Sequence, residues 1–121
     1  MTALSTLYPA AVRADYVISE VPSGDRTMLS SDAGARIVFS AATAQDYLLR
    51  DYATVALPVG AVIVLAVADD TAAKTETTPA SVVLNGQNDH SIALPQVVGL
   101  QAVLTQITED NWVLSYPGMT S

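Results

Sequence analysis

Cysteine is absent from this sequence, and aromatic residues are scarce, with a single Trp and a single Phe. The lack of cysteine excludes disulfide frameworks, thiolate nucleophiles and cysteine-based zinc sites together. Hydrophobic residues nevertheless make up 50% of the chain and aromatic residues only 6%. The core must therefore consist mainly of Ala, Val, Leu and Ile, a composition that favours packed β-sheets.

Positive charge is also scarce, because five Lys and Arg residues stand against 12 acidic ones, for a formal net charge of -7. Such a chain repels nucleic acids and anionic membranes, so we expect neither as a partner. The first twenty residues lack the basic start and apolar core of a secretory signal, and the chain is expected to begin near Met1. The most apolar stretch, residues 56–68, is shorter than the roughly 20 residues of a membrane-spanning helix and is predicted to be a buried strand.

Residues that could support catalysis are few. His90 is the only histidine, and it follows the polar run Asn88-Asp89 in a predicted turn, so we interpret it as a loop residue. Nucleophile elbows, phosphate-binding glycine loops and metal-ligand spacings are absent. The sequence predicts a protein that is not an enzyme, with no catalytic residue, no metal and no cofactor. Trp112 is predicted to lie in the core, with sugar stacking as the alternative.

The chain divides into two parts that differ in their residue pattern. Residues 1–31 show no sustained period and contain Pro9, Pro22 and Gly24. They are predicted to form an extended N-terminal arm, with one possible strand at 14–21. Residues 32–121 consist of short strand-like runs separated by turn residues, which is typical of a sandwich or a barrel. The predicted fold is all-β: a small antiparallel sandwich or barrel-like domain preceded by the arm.

Within the predicted β domain, strands are expected at residues 36–40, 61–67, 81–84, 100–107 and 111–116. The run at 61–67 is apolar on both faces and should be central. A strand at about 45–50 competes with a short helix at 41–49. Residues 71–78, rich in Thr, Ala, Lys and Glu, are predicted to be a solvated loop or hairpin tip. Asn85-Gly86 predicts a tight hairpin, and Pro95 makes the stretch 92–94 an edge strand or a loop.

Three segments resemble a small β module that recurs in tailed-bacteriophage fibre, spike and head-surface proteins. They are residues 32–43 (DAGARIVFSAAT), residues 57–64 (LPVGAVIV), and residues 102–107 with 111–114 (AVLTQI and NWVL). The first resembles the turn and strand that open the module, the second its Pro-x-Gly phrase before an apolar strand, and the third its closing hairpin. The resemblance implies association of three chains about a threefold axis.

The resemblance and the short arm together lead us to expect a capsid decoration, or cement, protein on the outer surface of a virion made in a bacterial cytoplasm. The expected partners are the major capsid protein and two further copies of the chain. Attachment would run through the large apolar residues of the arm: Leu4, Leu7, Tyr8, Val12, Tyr16, Val17 and Ile18. The alternative is a receptor- or carbohydrate-binding tip of a tail fibre, in which residues 85–90 would contact a glycan.

Overall fold

β-branched and aliphatic residues alternate with polar ones along most of the chain, and these runs form strands. The computed structural model describes residues 17–119. Its strands, in chain order, are β1 (Val17–Val21), β2 (Arg26–Thr27), β3 (Ala35–Phe39), β4 (Gln45–Leu48), β5 (Val62–Val67), β6 (Lys74–Thr77), β7 (Val83–Leu84), β8 (Gln87–Asn88), β9 (Ser91–Leu94), β10 (Gln101–Thr108) and β11 (Asn111–Ser115). One turn of 3₁₀ helix spans Ser30–Asp32. The prediction of an all-β fold is confirmed.

The strands form two sheets. The large sheet has seven strands in the order β1-β3-β5-β10-β11-β7-β8, and the small sheet has four in the order β2-β4-β6-β9. From β1 to β6 the chain alternates between the sheets, so that β1, β3 and β5 run parallel in one and β2, β4 and β6 run parallel in the other. Parallel neighbours need a crossover between them, and here each crossover is a strand of the opposite sheet. The sheets are therefore mixed, and the prediction of an antiparallel domain is corrected.

The core lies between the two sheets. The large sheet contributes Ile37, Ile63, Leu65, Leu104 and Trp112, all buried. The Phe39 ring of this sheet meets the Tyr47 ring of the small sheet edge to face, with centroids 6.4 Å apart. Burying an aliphatic side chain such as Ile37 or Leu65 contributes roughly 1.5–3 kcal/mol to the stability of the fold. Trp112 thus lies in the core, as predicted.

The predicted boundary at residue 31 is wrong, since residues 17–31 belong to the packed domain. β1 pairs along its whole length with β3, and Val21 and Met28 are only 6% and 2% exposed. The strand signal is weak here because Ser19 and Glu20 interrupt the alternation, and because the partner strands lie far along the chain.

A second correction concerns residues 71–78, which were predicted to be a solvated loop. Lys74–Thr77 is instead β6, between β4 and β9 in the small sheet, and its inward-facing side chains Lys74 and Glu76 are buried. The competing predictions for residues 41–50 resolve in favour of a strand, β4.

The tight hairpin predicted at Asn85-Gly86 is confirmed. Asn85 and Gly86 both have positive φ, 50° and 85°, and place Leu84 opposite Gln87 in the hairpin of β7 and β8. Positive φ at both central residues is the requirement of the turn that Asn-Gly favours. β5 is central in the large sheet, β9 is the edge strand next to Pro95, and β10 and β11 form the closing hairpin.

Candidate functional site

The N-terminal strand β1 carries the described part of the predicted capsid-binding arm. Leu4, Leu7, Tyr8, Val12 and Tyr16 lie outside the described residues. Val17 and Ile18 lie on β1, where they pair with Ala35 and Arg36 of β3. Ile18 points away from the core and is 61% exposed.

β1 is also an open edge. Among residues 17–119, no strand pairs with its outer side. Natural edge strands commonly carry charged side chains, Pro or a bulge that hinder further pairing. Val17–Val21 has one charged residue, Glu20, no Pro and no bulge, and it pairs in unbroken register with β3. An extended segment of another chain can therefore add to this edge through main-chain hydrogen bonds.

A buried polar cluster fixes the segment that follows β1. The carboxylate of Asp32 accepts hydrogen bonds from Arg26 Nη2 (2.5 Å) and from the Tyr47 hydroxyl (2.8 Å). It also accepts one from the Leu29 backbone N–H at 3.2 Å, while Arg26 Nη1 donates to Ser19 Oγ at 3.1 Å. The hydrogen bond to Asp32 raises the pKa of Arg26, and burial raises the pKa of Tyr47. The cluster thus joins β1, β2, β4 and the 3₁₀ turn.

Two inward-facing side chains of the small sheet donate hydrogen bonds to the loops that cross between the sheets. Gln45 Nε2 donates to the carbonyls of Val21 and Gly24, both at 2.9 Å. Lys74 Nζ donates to the carbonyls of Ala41 (2.7 Å) and Thr43 (2.8 Å). Buried carbonyls need hydrogen-bond donors. In the crossover loops these two side chains supply the donors that backbone N–H groups supply within a sheet.

Glu76 is the least satisfied member of this polar layer. It is 0% exposed, and its Oε2 accepts a hydrogen bond from Thr78 Oγ1 at 2.8 Å, whereas its Oε1 is buried without a hydrogen-bond partner. Burial raises the pKa of Glu76 to about 8, and the nearby carboxylate of Asp46 adds to the effect. The side chain is therefore mainly protonated at neutral pH.

The outward side of the large sheet is rich in valine, with polar side chains between the valines. We call these valines the valine face, and its members are Val38, Val62, Val64, Val103 and Val113. Val62 and Val113 are 38% and 40% exposed. Exposed apolar patches of this kind mark interaction surfaces in proteins.

Asp89, in the loop 85–90 for which the alternative function expects glycan contact, lines a groove on the small sheet. The groove has a volume of about 300 Å³, and its other lining residues are Thr27, Leu48, Leu49, Arg50, Thr77, Thr78 and Pro79. Asp89 has a positive φ of 50°. The charged and hydroxyl groups at this groove can hydrogen-bond with sugar hydroxyls.

His90 is partly buried in the connection between β8 and β9, and its backbone carbonyl accepts a hydrogen bond from Thr78 N–H at 2.8 Å. Within the described residues, no group of three His, Cys, Asp or Glu side chains could hold a metal ion. No helix in the same part of the chain is long and apolar enough to cross a membrane.

Sequence reasoning missed two of these features. The sequence predicts a turn at Asp32 and solvated charges at Lys74 and Glu76. Tyr47, which bonds Asp32, lies 15 residues away, and the carbonyls that bond Lys74 lie 31 and 33 residues away, so no local spacing reveals these contacts. The valine face had a visible signal, since residues 61–67 are apolar on both faces, but that pattern was explained by a central position alone.

Comparison of the chain with protein-family models, with curated proteins and with solved structures found no match.

Proposed function

We propose that this chain is a structural virion protein, a capsid decoration protein that binds the outer capsid surface as a homotrimer and stabilises it. It acts without catalysis. The observation that carries the proposal is the open edge at β1. The described part of the chain begins with β1, and no strand of residues 17–119 pairs with its outer side, so that side can accept a strand from a neighbouring chain.

The mechanism is mechanical. Each copy would bring the apolar residues before and within β1 to a capsid subunit, so that Ile18 and the preceding large side chains bury apolar surface there. One such contact is weak, because ordering an extended segment costs conformational entropy. Three copies held together raise the effective concentration of the second and third contacts and so convert weak binding into firm attachment.

Removing residues 1–16 is expected to abolish binding to emptied capsids and to leave the domain folded, since β1 and the whole described core remain. The measurements are co-sedimentation with emptied capsids and circular dichroism with thermal unfolding of the same sample. The matched control is a chain shortened after Met119, which lacks two C-terminal residues and should still bind.

Full capsid occupancy by the protein that lacks residues 1–16 would contradict the arm's role and place attachment on the β domain. A full-length protein that does not sediment with capsids at all would contradict the decoration function itself.

A second candidate function is glycan binding at a tail-fibre tip, and the groove beside Asp89 favours it. If the groove binds sugars, Asp89→Ala should lower binding on a glycan array at least tenfold, because a carboxylate that accepts two sugar hydroxyls would be lost. Asp70→Ala, at an exposed carboxylate outside the groove, is the control. A full-length protein that binds capsids but no glycan would favour the decoration function over this one.

A further inference from the structure

The outward faces of the two sheets differ in chemistry. On its outer side the small sheet presents two apolar residues, Leu48 and Ala93, and five polar ones, whose hydroxyls and carboxylate suit contact with water: Thr27, Asp46, Thr75, Thr77 and Ser91. One polar outer face is the usual pattern for a solvated sheet. The large sheet instead presents the valine face. The outer face of the small sheet thus has the composition of a solvated surface. By comparison, the valine face has the composition of a covered surface.

The valine face spans neighbouring strands, with Arg36, Thr105 and Ser115 between its valines. In the register of the sheet, Thr105 of β10 lies between Val62 of β5 and Val113 of β11, and Val103 lies opposite Val64. Directly opposed residues on one side of a sheet have Cβ atoms roughly 5 Å apart, so these side chains form one surface.

The apolar surface extends beyond β11. A groove of about 410 Å³ continues it, lined by Val113, Tyr116 and Met119 together with Asn85. The patch therefore runs from β3 across β5 and β10 to the C-terminal end of the described chain.

Charge indicates what covers this surface. The chain has a net charge of -7, so two copies repel each other over most of their surfaces. The outward positions of the five strands from β1 to β11 carry one carboxylate, Glu20, and one guanidinium, Arg36. A second copy can approach here without meeting a cluster of like charges. A basic partner, by contrast, would find few anions to recognise.

The two charges also make the face complementary to itself. Glu20 and Arg36 lie on adjacent strands, β1 and β3, next to the valine residues. Glu20 accepts a hydrogen bond from Ser40 at 2.8 Å, and Arg36 donates to Gln101 at 3.2 Å, so both are held in place. Copies that meet through this face can set the cation of one chain against the anion of another.

We propose that the valine face is the surface through which copies of this chain bind one another, and that it is buried in the homo-oligomer. The number of chains is the one part of this inference that rests on the trimer of the proposed function. The inference does not depend on the capsid. In a threefold assembly each valine face would turn towards the axis and contact both neighbours. β1, at the border of the face, would then stand beside the interface.

The test is the mass of the full-length protein in solution. Size-exclusion chromatography with light scattering at micromolar concentrations should report three chains, 3 × 12.6 = 37.8 kDa. The double variant Val62→Lys/Val113→Lys should run as a single chain of about 12.6 kDa, because two ammonium groups would have to be buried per copy. Both positions face outward, so the isolated domain should keep its circular dichroism spectrum.

The matched control is Val97→Lys/Val98→Lys, which adds the same charge at two valines that are more exposed, 57% and 58%, in the loop before β10. This variant should keep the mass of the unmodified protein. Val62→Thr/Val113→Thr is a milder second variant, which keeps side-chain shape and strand preference and should weaken association at least tenfold. It tests the same surface if the lysine variant does not fold.

Every result decides the inference. A full-length protein that is monomeric across the concentration range overturns it, because the face would then be solvated or covered by another part of the chain. An oligomer whose mass neither the Lys nor the Thr variant changes also overturns it. Two chains in place of three, dissociated by the variants, would support the valine face and contradict the threefold assembly. Capsid sedimentation tests the virion function separately.

Discussion

Replacing Asp32 with alanine is expected to lower the free energy of unfolding by about 3–5 kcal/mol, a large share of the roughly 5–15 kcal/mol of an ordinary domain. The buried carboxylate of Asp32 accepts hydrogen bonds from Arg26, Tyr47 and the Leu29 backbone. Its removal leaves a guanidinium in a partly buried position and a buried hydroxyl without their acceptor. The loss follows from those orphaned groups more than from the missing attraction.

Urea titration followed by the fluorescence of Trp112, which is buried in the core, measures the change. Asp70→Ala removes an exposed carboxylate and should change stability by less than about 0.5 kcal/mol. All proteins are compared at one chain concentration, since association contributes to apparent stability.

A double-mutant cycle tests the cause. Tyr47→Phe alone should cost about 1 kcal/mol, the usual net value of one hydrogen bond. In the Asp32→Ala background the same change should cost less, because the hydroxyl has already lost its acceptor. Equal costs in both backgrounds, or an Asp32→Ala variant as stable as the unmodified protein, would contradict the role given to this cluster.

The parts of the fold that the sequence predicts are those determined by local chemistry. Asn85-Gly86 predicts its hairpin because few other residues tolerate positive φ at two successive positions. The apolar run at 61–67 predicts a central strand, and the run at 100–107 predicts a long strand closed by a hairpin, because aliphatic residues adjoin recognisable turns.

The unpredicted parts depend on distant contacts. β1 was assigned to the arm because its partner, β3, follows 18 residues later in the register, with Val17 opposite Ala35. Sequence adjacency favours antiparallel pairing, so a chain that alternates between two sheets is not visible in any window. Val21 is in the core only because this parallel pairing exists.

The strand β6 was not predicted for a different reason. Lys74 and Glu76 alternate with threonines, a period of two that fits a strand, yet both charged residues point inward. Charged residues are rarely buried without partners, so solvation was the natural interpretation. The donors and acceptors that make burial possible, the carbonyls of Ala41 and Thr43 for Lys74, belong to a loop 31 to 33 residues earlier.

The features of the candidate site likewise separate into those that the sequence predicts and those that depend on how the sheets pack. Composition predicts a surface that avoids nucleic acids, and apolar periodicity reveals the outward valines of β5. The sequence cannot show which face of the large sheet remains uncovered, because that depends on where the second sheet packs. Phe39 and Tyr47 place the small sheet on one side, and the valine face lies on the other side, where the described residues form no second sheet.

Glu76 leads to the second large prediction: stability should fall as the pH rises, and Glu76→Gln should remove that dependence. The folded protein raises the pKa of this carboxyl from 4.5 to about 8. Between these two values the unfolded chain has released the proton and the folded protein still holds it. The unfolded state binds fewer protons, so the free energy of unfolding decreases with pH, by up to about 1.4 kcal/mol per pH unit. The full contribution is present below pH 4.5 and is lost as pH passes through about 8.

The measurement is urea unfolding at several pH values from 5 to 9 for the unmodified protein, for Glu76→Gln, and for Glu109→Gln as a control at an exposed carboxyl. Other titrating groups contribute equally to all three, so the informative quantity is the difference between variants. The stability of Glu76→Gln relative to the unmodified protein should rise by about 4 kcal/mol across this range. Its offset at pH 5 can have either sign, because the amide places N–H groups where Oε1 has no partner. A change with pH for Glu76→Gln no larger than that for Glu109→Gln would show that the folded protein ionises Glu76 without cost, which would require water or a donor beside Oε1.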